Sequence, residues 1–448
     1  MNILLKNGFL LTENGLEKSD IHISDSKIKQ VSKNIVISEA IDKTFDFSNK
    51  FIIPGGIDVH THLNIDVGTK SIDNFVSGGY AAIFGGTTTI IDHPGFGPDK
   101  CPLDFQIDLY MENAKASPID YSFHGVIQHI HFDMEQQMKK LKSKGITSFK
   151  LYMTYTYLMN DLDVLKVFEI AKNLDLTIAV HAENHGIIEF LKNKFKYEKK
   201  LSAIYHAKSR PDYSESEAVQ RLLFLSKTVN FNKLYFVHIS CKKSLDILSK
   251  AKNDGQTFFV ESCPQYLLLN ENKYLEEDGN LYIMSPPLRK KEDNVAIIDG
   301  ITKGLIDVIG TDHCSFSLTD KNSGKLDFTK CPNGAPGIEE RIPLMFSEFL
   351  KGNITAKSFL NSCCLNPAKI FGLYPQKGTL SPQGDADIVV LSLENFNFEN
   401  PKSKAMYSCF KDITSLARVH SVFIRGNIVL DEYKLIENAY TGVFLPRK

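Results

Sequence analysis

The chain has 448 residues, 43% hydrophobic and 23% charged, with 52 Lys and Arg against 53 Asp and Glu for a net charge of −1. That balance excludes a protein built to bind nucleic acid or an anionic membrane surface, and no run of about 18 apolar residues offers a transmembrane helix. The length allows two or three domains, or one large barrel with an appendage.

The N-terminus, MNILLKNGFLLTENG, is interrupted by Lys6 and Asn7 and reads as a first strand and turn rather than a secretory leader. Eight scattered cysteines, with no CxxC and one adjacent pair at Cys363-Cys364, suit free thiols in a reducing cytosol, so a cytoplasmic location is expected. Residues 1–50 hold β-like runs broken by turn signals at Asn7-Gly8 and Asn14-Gly15, with no helical period. They predict the first part of a small β-sandwich, residues 1–52.

From Ile53 short apolar strands alternate with amphipathic helical stretches such as FVSGGYAAIFGG and DLDVLKVFEIAKNL. Eight strand candidates follow: 57–63, 86–93, 120–130, 147–155, 176–183, 233–240, 256–263 and 307–313. This is the α/β pattern of a (β/α)8 TIM-like barrel, here over 53–374. A doubly wound sheet would carry a GxGxxG after its first strand, and none is present. From about Gly378 the β texture returns, with turn residues at Gln383-Gly384-Asp385 and Arg425-Gly426-Asn427. Residues 375–448 are predicted to complete the sandwich, which leaves the barrel inserted into a β domain built from both chain ends.

Such barrels carry their chemistry at the C-terminal ends of the strands. The first ends in His60-Thr61-His62. Side chains two apart on a strand share a face, so both imidazoles leave on one side, as half of a metal site requires. Taken alone, the pair also suits a polar strand face. The later ends supply Lys150 in SFKLYMTY, His181 in LTIAVHAE, His238 in LYFVHIS and Asp312 in VIGTD. Lys150 lies in an apolar context where an unpaired ammonium is costly. Six such residues at five strand ends are hard to explain as core. His93, His124, His129 and His131 also lie near strand ends and are read mostly as structural. His22, His206 and His420 lie elsewhere, and His313 should point away from Asp312.

The motifs PGGIDVHTHL, FKLYMTY, VHAEN, VHIS, ESCPQYL, SPPLR, GTDHC and PNGAPGIEER, in register over nearly the whole chain, resemble the hydantoinase and dihydropyrimidinase family of cyclic amidohydrolases. HLNIDVGT, IIDHPGFGP and DYSFHGVIQHI are most similar to its bacterial D-phenylhydantoinase branch. The resemblance implies two divalent metal ions, usually zinc. His60, His62 and Asp312 would hold one, His181 and His238 the other, and Lys150, carboxylated by CO2 to a carbamate, would bridge both. A carbamate offsets metal charge that an ammonium would add to. It further implies attack of a metal-bridging hydroxide on a cyclic amide, with oxyanion stabilisation by Tyr155 and proton transfer by Asp312, opening D-5-substituted hydantoins to N-carbamoyl-D-amino acids. Main-chain groups at Ser285 and Asn333 would read the ring amide.

Loops 63–72, 93–100 and 153–160 should set specificity, with Leu63, Ile65, Phe96, Tyr157 and Leu158 as candidate pocket residues. A dihydropyrimidinase or an allantoinase would share the metal set, whereas a non-catalytic dihydropyrimidinase-like scaffold would lose ligands, and here every ligand position is filled. A homo-oligomer is implied. Many relatives lay a further C-terminal tail on a neighbouring subunit. This chain stops at Lys448, which leaves tetramer and dimer open.

Overall fold

The structure, a computed structural model, describes residues 1–37 and 40–448. Five strands open the chain: β1 (Asn2–Thr12), β2 (Gly15–Ser24), β3 (Lys27–Ser32), β4 (Lys43–Asp46) and β5 (Phe51–Pro54). Asn14-Gly15 makes the expected tight turn, with Thr12 opposite Gly15. Asn7-Gly8 does not turn the chain. It is a bulge inside β1, where the register shifts between Leu5 and Gly8 and Asn7 takes φ 64°. Glycine is required there because Ile52 Cδ1 lies 2.3 Å from the place of a Cβ.

Near the other end of the chain come β15 (Ile388–Phe396), β16 (Ser415–Ile424), β17 (Asn427–Asp431) and β18 (Lys434–Leu435). The two groups share one hydrogen-bonded network, in the order β18-β17-β16-β15-β5-β1-β2-β3, with β4 also on β1. Its apolar faces close over a core of their own, including Leu5, Ile21, Ile52, Ile388 and Phe423. Phe45 of β4 meets Phe423 of β16 across this core, ring to ring at 5.4 Å, so the network folds over as a sandwich does.

Between the two groups lie the strands β6 (Gly56–Thr61), β7 (Thr87–Asp92), β8 (Asp120–Phe123), β9 (Gly125–Val126), β10 (Ser148–Tyr152), β11 (Thr177–His181), β12 (Leu234–Phe236), β13 (Phe259–Ser262) and β14 (Val308–Ile309). Neighbours pair in parallel, β6-β7-β8 in one ladder and β9 to β14 in another. Only His124 separates β8 from β9, so these are two parts of one barrel strand. A parallel bridge from Thr61 to His313 joins the first strand to the eighth and closes the barrel. Helices cover it where the apolar period predicts them, among them Phe75–Phe84, Asp161–Asn173 and Asp212–Thr228. Asn160 caps the second of these, its side-chain oxygen accepting the Asp163 N–H at 3.0 Å. Among the described residues no helix is long and apolar enough to cross a membrane.

Two features pin the barrel to the β network. Gly55 leads from β5 straight into β6, and a Cβ on it would meet Thr88 Oγ1 at 2.2 Å. Beneath the barrel the buried Lys377 ammonium lies 2.6, 3.0 and 2.7 Å from carboxylate oxygens of Asp120, Asp385 and Asp387. The end of the chain then runs under the barrel floor. Leu445 donates to Tyr121 O, and the buried Arg447 reaches Ser122 Oγ and Ser148 Oγ at the starts of the strands. The opposite end of the barrel, where the strands finish, is left for the site.

Candidate metal centre and active-site cavity

Six polar side chains converge where the strands finish. His60 and His62 project from the end of β6 with ring centroids 5.2 Å apart. Their Nε2 atoms lie 3.3 and 3.0 Å from the same Asp312 oxygen, Oδ1. His238 stacks on His60 at 5.3 Å and meets His181 at 4.6 Å. Lys150, on β10, projects into the same space and is 1% exposed. Together with Tyr155, Ser285 and Asn333 these groups line one cavity of about 620 Å³.

The donor set fits divalent ions. Atoms of His60, His238 and Asp312 that can ligate lie within 4.8 Å of one another. His238 Nδ1 is buried with no hydrogen-bond partner. Lys150 makes neither an ion pair nor a hydrogen bond among the described residues, and its ammonium lies 5.3 Å from the centroid of the Tyr152 ring. Burial lowers the pKa of His60, His181 and His238 and favours the neutral imidazoles that a metal needs. It also brings Lys150 down to about 8, against the pull of Glu261 and Asp312. Burial acts to raise Asp312, but His60, His62 and Lys150 outweigh it and keep the carboxylate ionised.

Three of the four histidines are held by their second nitrogen. Glu261 Oε1 sits 2.6 Å from His60 Nδ1, the His93 carbonyl 3.3 Å from His62 Nδ1, and Glu183 Oε2 2.7 Å from His181 Nε2. His60 and His62 therefore present Nε2 to the centre, and His181 presents Nδ1. Arg210 pairs with Glu183 and places its guanidinium 5.6 Å from the centroid of the Tyr155 ring. Tyr155, His238 and Asp312 all adopt left-handed backbone, with φ of 74°, 39° and 55°. Such strain in non-glycine residues collects where a fold must aim side chains.

Glu261 and Glu183 are absent from the sequence prediction although both carry a signal. Glu261 is an acidic residue inside the apolar strand β13. Glu183 lies two residues after His181, on the same face. Lys321 carries no such signal. Its buried ammonium donates to the carbonyls of Ile283, Pro332 and Gly334 at 2.7, 3.1 and 2.9 Å, which ties the segment of Ser285 to that of Asn333.

Of the predicted pocket residues, Ile65, Phe96 and Tyr157 line the cavity, joined by Tyr152. Two do not. Leu63 is fully buried in the barrel's outer core, its Cδ2 2.4 Å from where Gly78 would carry a Cβ. Leu158 borders a neighbouring cavity with His185 and Arg210. His93 stacks on His124 at 4.0 Å and meets His60 at 4.4 Å in a tilted contact without lining the cavity, and His313 turns away toward Asp73, 3.3 Å distant.

Comparison with known proteins matches residues 51–429 to the amidohydrolase family. The chain belongs to that family. Over its full length the amidohydrolase is 39% identical to a D-phenylhydantoinase of Escherichia coli strain SE11, covering 98% of that protein. A crystal structure of dihydropyrimidinase from Brevibacillus agri NCHU1002 superposes with a TM-score of 0.96 at 32% identity, covering 100% of this chain and 99% of that one. A crystal structure of a D-hydantoinase gives 0.95 at 34% identity with the same coverage. These likenesses agree with the resemblance seen in the sequence, and they agree with the barrel and accompanying β domain.

Proposed function

We propose that the amidohydrolase opens the ring amide of D-5-substituted hydantoins to give N-carbamoyl-D-amino acids. The observation that carries this reading is the convergence of His60, His62, Lys150, His181, His238 and Asp312 on a cavity that also holds Tyr155, Ser285 and Asn333. His60, His62 and Asp312 would hold one divalent ion, His181 and His238 a second, and a carbamate on Lys150 would join them. Zinc suits this mixture of imidazole and carboxylate ligands. Such ions would activate the attacking water and polarise the scissile carbonyl.

The protein's own groups do the rest. Carbamate formation needs a free amine: Lys150 Nζ attacks CO2, one proton leaves, and a monoanion replaces the ammonium. A pKa of about 8 keeps an appreciable fraction of the amine free near neutral pH. Asp312 faces both His60 and His62, is ionised, and is placed to accept the proton of the attacking water and pass it to the leaving ring nitrogen. The Tyr155 hydroxyl, kept protonated by burial, donates to the oxyanion that develops on the carbonyl. Main-chain groups at Ser285 and Asn333 hold the flat amide edge. Phe96 and Tyr157, with ring centroids 4.8 Å apart, and Ile65 form an apolar wall for the substituent on C5.

Dihydropyrimidinase activity is the second reading, favoured by the fit to the Brevibacillus agri structure. Initial rates on D-5-phenylhydantoin, dihydrouracil and allantoin decide between them. The proposal expects the aryl hydantoin to react fastest. Much faster turnover of dihydrouracil would replace it with the second reading. Protein purified without chelator should contain at least two equivalents of zinc per chain, and metal-free preparations that still hydrolyse the ring would overturn the assignment of the centre.

A further inference from the structure

Beyond the catalytic cavity, the third barrel strand ends and the chain continues through the loop Gln128-His129-Ile130-His131. Neither histidine lines that cavity or ligates its centre. Their rings lie 4.1 Å apart between centroids, inclined at 50°. Both nitrogens of His129 and the Nε2 of His131 are shut off from solvent and have no hydrogen-bond partner. Three unsatisfied nitrogens on two touching rings lack the partners that buried polar atoms normally have. Among the described residues, no other pair of histidines combines ring contact with this loss of partners on both rings.

We propose that His129 and His131 form a separate site for a single divalent transition-metal ion of the zinc, nickel or copper class. Two imidazoles at a bend that follows the strand, with one residue between them, are ligands that such ions prefer over calcium or magnesium. The exposed Asp99 acts on His129 through space as a neighbouring negative charge, with Lys100 opposing it. Burial and the adjacent His131 both disfavour protonation of His129, which keeps that ring in its ligating form.

The site stands behind one wall of the catalytic cavity. Gln128, next to His129, accepts the Gly97 N–H at 2.8 Å and donates to the carbonyls of Gly97 and Pro98 at 3.3 and 3.0 Å. Gly95, Phe96 and Gly97 line the cavity. An ion on His129 and His131 therefore fixes the base on which the aryl-facing loop rests, and it does so without touching the catalytic ligands.

The test compares metal binding by the full-length protein with that by His129→Gln and His131→Gln, each dialysed to equilibrium against micromolar Zn2+ and counted by elemental analysis. Each variant should bind one equivalent fewer than the parent, whatever number the parent binds. Cu2+ added to zinc-loaded parent should give an electron paramagnetic resonance signal with nitrogen coupling that both variants lack. Hydrolysis without added metal should be unchanged in both, which verifies the fold. Equal metal counts in parent and variants, or a copper signal that survives both substitutions, would overturn the proposal. Because the readout is a difference between proteins, it fails independently of how many ions the catalytic centre holds.

Discussion

Glu261 is a buried carboxylate whose one oxygen meets His60 Nδ1 while the other accepts from the Tyr235 hydroxyl at 2.8 Å. It fixes both the tautomer and the tilt of the ring, and such outer partners commonly govern metal affinity. Glu261→Gln should therefore weaken metal binding by about 10–100-fold, measured by competition with a chromogenic chelator. Lys150→Ala removes the group proposed to join the two halves of the centre, so the centre should hold one ion at most and lose activity. Elemental analysis checks this, and full zinc content with retained turnover would contradict the bridge. These roles differ in how they can be read from sequence. His60, His62, Lys150, His181, His238 and Asp312 are legible because each is a polar side chain where an apolar strand ends. Glu261 sits inside such a strand, and its partner arrives from a strand about 200 residues away, which no local pattern announces.

Among the elements, the loops that meet the substrate depend on a side chain outside them. Lys321 spends its three donors on carbonyls that flank Ser285 and Asn333. Lys321→Met keeps much of the bulk and removes all three bonds. We expect KM for the cyclic amide to rise about tenfold, the effect of losing one well-placed hydrogen bond, with a smaller change in kcat. Equal KM in parent and variant would show that the backbone holds its shape without the ammonium. Asp307, just before β14, behaves differently. Burial raises its pKa to about 6, although its carboxylate accepts the Val260 N–H at 2.9 Å. A carboxyl group raised above its unfolded value favours folding when protonated, so this contribution is full below about pH 4 and is lost as pH rises through about 6. Asp307→Asn should be more stable than the parent at pH 7 by about 1–2 kcal/mol after allowing for partial solvent screening. The gap should close toward pH 4 in urea titrations. The sequence shows the strand that Asp307 precedes, but not that its neighbours shut out water. The same limit explains Leu63 and Leu158, because apolar residues in a loop can face a ligand or the core, and here Gly78 makes room for Leu63 beneath the surface.

At the scale of the whole molecule, barrel and β network are joined through buried charge. Lys377 is 1% exposed and has Asp120 from the barrel on one side and Asp385 and Asp387 on the other, while Arg425 adds a second cation at 2.9 Å from Asp120. Removing one partner of such a group leaves uncompensated charge, at a cost of about 3–5 kcal/mol. Lys377→Met should lower the thermal midpoint accordingly, and an unchanged midpoint would show that Arg425 alone suffices. The fold was readable at this scale because period and composition both change near Ile53 and again near Gly378. The joint between the parts was not, since its charges are spread from Asp120 to Arg425 and lie among residues that look like ordinary surface.

The pairing of β5 with β15 has a consequence for the order in which the protein is built. β5 hands the chain directly to β6 and so to His60 and His62. Its neighbour β1 precedes it, yet its other ladder partner, β15, emerges only after the entire barrel has been synthesised. Lys27 and Asp385, bonded across the same domain at 2.5 Å, are 358 residues apart. Contacts of such long range form late, once local structure has shortened the loop between them. The strand that leads to His60 and His62 is thus held on one edge only until the chain is nearly complete. A nascent chain leaves the other edge of β5 open to association with other chains. Metal capture by the finished centre belongs after translation, and the interval before it is when this amidohydrolase is most exposed to aggregation.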